Sequence, residues 1–127
     1  MKPYVRPVSA TWWLKRKPYF LFMLREISSI FIAVFLILFL VMIHRLSQGP
    51  EAYESFLAGL RSPGAILFHV VVLAFALLHT ITWFHLTPKA MAVWRGEERL
   101  PGKVIIGSNY LAWILISGVV LWLISRG

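Results

Sequence analysis

Polar and apolar positions alternate along this chain in long blocks. Residues 27–44, 62–88 and 104–125 contain no Asp, Glu, Lys or Arg and are mostly aliphatic or aromatic. A helix crosses the hydrocarbon of a bilayer with roughly 17–25 apolar residues, and each block meets or approaches that length. The pattern predicts three transmembrane helices, at about residues 19–45, 63–88 and 104–125. The expected fold class is therefore all-α, a polytopic membrane protein, organised as a single membrane-anchor domain over residues 1–127.

The polar blocks predict the rest. In the first connection, Pro50 suits the first position of a helix, and Glu51 and Glu54 fall in the turn where the dipole is positive. Ser47 or Gly49 is placed to cap it. Tyr53, Phe56, Leu57 and Leu60 recur at helical spacing, which predicts a short amphipathic helix on the membrane surface. Ser62 and Pro63 open the second span as cap and first residue, and Pro88 closes it. Residues 1–18 form an interfacial segment. Pro3, Pro7 and Pro18 break any continuous helix there, and Trp12 and Trp13 mix with Lys15, Arg16 and Lys17 as headgroup-layer residues do. A docking strip for a soluble partner with an acidic face is the alternative reading of that segment.

Composition excludes several classes. A chain of 127 residues that is 59% apolar and 14% charged has no need of a soluble core. Its net charge of +8 would suggest nucleic acid in a soluble protein. Here the basic residues flank the spans, so membrane lipid is the expected neighbour and no nucleic acid is. Ten of them fall on the side of the N-terminus, against Arg45, Arg61 and Arg126 on the other. The positive-inside bias then places the N-terminus in the cytoplasm and the C-terminus outside. The first apolar run lacks a small-residue cleavage site after it, so it reads as a retained helix and not a signal peptide. With no cysteine, the chain supplies no disulfide, thiolate zinc site or protein-held iron–sulfur cluster.

Chemistry concentrates at one depth. Glu26 is the last carboxylate before the first apolar block, beside Arg25, and ionisable groups in such places are costly and usually used. The second helix runs back toward the same face. His79 lies nine residues before Pro88, roughly 13 Å of helix, and Trp83 is one turn closer to that end. An acid, an imidazole, a fixed cation and an aromatic plate together suit a quinone, whose carbonyls need donors and whose reduction takes up protons. Plainer roles exist for each. Glu26 can pair with Arg25 or a neighbouring protein, His79 can bond across helices, and Trp83 can belong to the aromatic belt. His44 reads as a headgroup contact and His85 as interfacial. A haem between His44 and His69 has no spacing motif behind it. The third helix carries Gly107, Ser108, Ala112, Ser117 and Gly118, small residues that let it pack closely on a partner, and Asn109 can bond across that contact.

At these residues the sequence resembles the C subunit of bacterial fumarate reductase, one of two small membrane anchors. The similarity covers nearly the whole chain: KPYVRP at 2–7, TWW at 11–13, FMLRE at 22–26, GPEAY at 49–53, LLHTITWF at 77–84 and PKA at 88–90. The resemblance implies a protein of the bacterial cytoplasmic (inner) membrane, not catalytic by itself. It would dock a flavoprotein and an iron–sulfur protein and, with a second anchor, form a site for menaquinone or menaquinol. Arg25, Glu26, His79 and Trp83 match the family's site residues. Ser29 stands where relatives have a small residue lining the site, and Ile81 where relatives carry lysine. FAD and iron–sulfur clusters would belong to the partners. No haem is expected, His69 being the residual candidate ligand. The anchor of a related succinate dehydrogenase and a purely structural anchor stay as alternatives. A proton-coupled transporter ranks last, because its carboxylate belongs near the midplane.

Overall fold

A computed structural model describes residues 7–126. Lys2, Pro3 and Arg6 of the interfacial segment, and most of the 2–7 motif, lie outside the described residues. The described elements are a 3-10 turn Trp12–Lys15, helices α1 (Lys17–Ser47), α2 (Pro50–Leu60), α3 (Pro63–Ala90) and α4 (Gly102–Arg126), and two short strands, β1 (Trp94–Arg95) and β2 (Glu98–Arg99). Three of the helices, α1, α3 and α4, are long and apolar enough to cross a membrane. The chain divides into two units, Met1–His79 and Thr80–Gly127.

In the first unit, aromatic pairs join the 3-10 turn to the start of α1. Trp12 meets Tyr19 edge-on at 5.3 Å, and Trp13 stacks on Phe20 at 6.2 Å. Arg16 is extended, and Pro18 sits in the first turn of α1, where no helical N–H is lost. At roughly 1.5 Å per residue, the 31 residues of α1 outrun the roughly 30 Å hydrocarbon core. Its ends therefore carry the polar groups. At the C-terminal end Ser47 Oγ donates to the His44 carbonyl at 2.7 Å, and Arg45 donates to Gln48 Oε1 at 3.2 Å.

Gly49 makes the turn into α2. Its φ of 114° and ψ of 172° lie in a region open essentially to glycine alone. Pro50 then occupies the first turn of α2 with Glu51 at its positive dipole end, as the sequence predicts, whereas Glu54 falls beyond that first turn. Phe56 and Leu60 of α2 join Phe35, Leu38, Phe39, Met42 and His69 around a cavity of about 190 Å³. Ser62 caps α3, its Oγ accepting the Ala65 N–H at 3.3 Å. Along the seam of α1 and the first part of α3, Phe31 stacks on Phe75 with centroids 4.4 Å apart. Phe35 meets His69 edge-on at 6.0 Å.

In the second unit α3 runs through Pro88 and ends at Ala90, two residues beyond the expected stop. Proline removes one helical N–H and the ladder resumes after it, with Met91 N–H donating to the Thr87 carbonyl at 2.8 Å. Arg99 donates to the Pro88 carbonyl at 3.1 Å. A Cβ on Gly102 would lie 3.2 Å from Pro88 Cβ, so glycine permits α4 to start close to this bend. Between them β1 and β2 pair antiparallel, Trp94 with Arg99 and Arg95 with Glu98. Gly96, at φ 67°, takes the positive angle that tight hairpin turns require. Phe84 packs edge-on against Tyr110 at 4.9 Å and Trp113 at 6.2 Å, tying the end of α3 to α4.

Neither unit has a core of the soluble kind. Among the described residues only Ser28 and Val72 are buried. The most apolar windows of α1, α3 and α4 are 6%, 6% and 0% buried. Their apolar side chains face outward, which water would penalise and lipid or neighbouring helices would not.

Candidate functional site

One group of polar side chains in the first unit gathers where α1 meets α3 near Arg25. Arg25 lies on α1 with its side chain only 11% exposed, its guanidinium 5.1 Å from the centre of the Phe22 ring. Its Nη2 stands 3.5 Å from Glu26 Oε1, at the outer limit of a hydrogen bond. Consecutive helical residues diverge by about 100°, so the pair meets only because the arginine side chain is long enough to bend across. Glu26 itself is 53% exposed. The carboxylate is thus held loosely on one side and open on the other.

Three residues on from Arg25, Ser28 is fully buried. Its Oγ donates to the Arg25 backbone carbonyl and lies 2.9 Å from His79 Nδ1 on α3. This contact brings His79 to the turn that carries Arg25 and Glu26. Ser29, the serine expected at the site, is exposed and donates to the Glu26 carbonyl at 2.6 Å. Sequence reasoning missed Ser28. The available signal was helical phase: Ser28, Phe31 and Phe35 fall on one stripe of α1, and that stripe packs on α3.

Trp83 follows His79 by one turn on α3 and belongs to the second unit, where it is 43% exposed. Its backbone carbonyl accepts the Thr87 hydroxyl at 2.8 Å. His85 lies beside Tyr110, ring centres 6.3 Å apart. At the far end of the first unit, His44 contacts Gln48 Nε2 through its own Nε2 at 3.2 Å. His69 donates from Nδ1 to the Ala65 carbonyl at 2.7 Å. Among the described residues, no three His, Asp or Glu side chains gather in a way that would hold a metal ion.

The family model for the C subunit of fumarate reductase matches residues 1–125. Among individual relatives, the fumarate reductase C subunits of Mycobacterium tuberculosis strains ATCC 25177 / H37Ra and ATCC 25618 / H37Rv are each 36% identical over 124 residues. The alignments cover 98% of this chain and 98% of each relative. The chain belongs to the family of fumarate reductase C subunits.

Membership agrees with the structure at the coarse level. Three long apolar helices make this fumarate reductase anchor a multi-pass membrane protein, and a membrane-anchor role in an oxidoreductase complex is what the family supports. Arg25, Glu26, Ser28 and His79 are the polar side chains that this anchor gathers at one end of its first two spans.

Proposed function

We propose that this chain tethers the flavoprotein and iron–sulfur subunits of fumarate reductase to the bacterial cytoplasmic membrane and, with a second small anchor, forms the site where menaquinol is oxidised. The N-terminus faces the cytoplasm in this reading, because ten of the thirteen basic residues lie on that side. The near-complete exposure of the three spans supports the tethering part, since such surfaces call for lipid and neighbouring helices.

The observation that carries the quinol part is the meeting of an ion pair and a serine-bound histidine at one turn of α1. A quinol that gives up two electrons also releases two protons. Glu26, half open beside Arg25, serves as proton relay, and the Arg25 guanidinium orients the quinol oxygen electrostatically. His79 accepts or passes a hydroxyl proton, Trp83 gives the ring a flat wall, and Ser29 can add a hydrogen bond. The two electrons leave for the iron–sulfur partner, and fumarate takes up two electrons and two protons at the flavin.

Glu26→Gln in the assembled complex tests this. Menaquinol-driven fumarate reduction should fall on the order of a hundredfold, the lower range for removal of a general acid–base group. Fumarate reduction driven by a soluble dye should stay at the wild-type rate. Unchanged quinol turnover across pH would leave a structural anchor alone.

A further inference from the structure

Ser28 has a hydroxyl with one proton and two partners. One partner, the Arg25 backbone carbonyl, can only accept, so the serine proton is committed to it. The other, His79 Nδ1, lies 2.9 Å from the same oxygen. With its proton spent, Oγ meets Nδ1 through a lone pair, and the bond requires the hydrogen on Nδ1. In neutral imidazole one nitrogen is the donor and the other the acceptor, and the partner of one decides the role of the other. The basic nitrogen of His79 is then Nε2.

We propose that Ser28 is a positioning residue for quinol oxidation, fixing His79 in the Nδ1–H tautomer so that Nε2 takes a hydroxyl proton from the quinol. The inference rests on the quinol reading above and deepens it. When menaquinol becomes menaquinone, two O–H bonds break. His79 Nε2 takes one proton, Glu26 the other, and the two electrons pass to the iron–sulfur partner. The opposite tautomer would present N–H to the quinol and could not accept. Full burial of Ser28 keeps water from replacing its hydroxyl, so the contact to Nδ1 is held by a side chain of α1. Its neighbour Ser29 is exposed and bonded to Glu26, and has no such hold on the ring.

The test uses the assembled complex in membranes, with rates expressed per dye-active enzyme. Ser28→Ala should lower kcat for menaquinol about tenfold, the size of one lost hydrogen bond. Ser28→Thr, which keeps the hydroxyl, should restore it. Nitrogen-15 spectra of labelled histidine, assigned by difference against His79→Gln, should show Nδ1 protonated and Nε2 bare in the wild type, and lose that signature in Ser28→Ala. An Nε2–H signature in the wild type would overturn the proposal, as would equal impairment of the Ala and Thr variants, which would mean packing alone. Normal quinol oxidation in Ser28→Ala with loss in Glu26→Gln overturns this inference only. Normal oxidation in both overturns the quinol reading as well.

Discussion

Arg25 and Glu26 are neighbours in sequence, yet their environments differ sharply. The guanidinium is folded onto Phe22 and largely covered, whereas the carboxylate is more than half open. A pair locked only to itself would cover both charges, and a contact as long as 3.5 Å with one partner exposed adds little to stability. That asymmetry favours a working carboxylate. Trp83 carries a separate expectation. If it is the wall for a quinone ring, Trp83→Ala should raise KM for menaquinol roughly two- to tenfold, the equivalent of an aromatic contact, with a smaller change in kcat. Steady-state titration with a short-chain menaquinol analogue gives the split. The charged candidates were legible in the sequence because a carboxylate or imidazole stands out against an apolar run. Ser28 was not. It is small and neutral, and it sits beside a second serine. Only the rotation of α1 against α3 decides which of the two is buried.

At the scale of elements, chain punctuation determines where helices begin. Pro18, Pro50 and Pro63 all fall in first turns, and Ser62 caps α3 with its own oxygen. Those features are local, so sequence conveys them. The overrun of α3 past Pro88 is less legible, because proline removes a single helical N–H and the ladder resumes after it, while Arg99, eleven residues on, bonds the Pro88 carbonyl near the helix end. The hairpin escaped notice for another reason. Its strands are two residues each and mostly charged, too short for any alternation to register. Gly49 offers the sharpest test of an element boundary. Alanine there would be forced into a backbone region that costs about 1–3 kcal/mol, while a Cβ would meet no neighbour within 4 Å. Gly49→Ala should therefore lower the thermal midpoint of the purified complex, and Gly59→Ala, equally open in space and helical, should not.

For the whole molecule, the proposed orientation has the N-terminus in the cytoplasm and the C-terminus outside. The absence of cysteine makes this directly testable. A single cysteine at Lys15 or Trp94 should react with a membrane-impermeant thiol reagent only in inverted vesicles, and one at Arg126 only in intact spheroplasts. The reverse pattern would flip the orientation and place Glu26 at the outer face, away from any cytoplasmic partner. Span count was readable from apolar blocks alone, since every backbone polar group in lipid must be satisfied within its own helix. Which faces meet a partner was not readable, because lipid and helix surfaces have nearly the same apolar chemistry.

Helices with 6%, 6% and 0% of their most apolar windows covered hold almost nothing in reserve against being alone. A copy that finds no companion has little internal packing to resist membrane proteases, whereas a captured copy gains shelter along its whole length. Cellular abundance of this anchor would then be governed after synthesis, by how many assembly slots its companions offer.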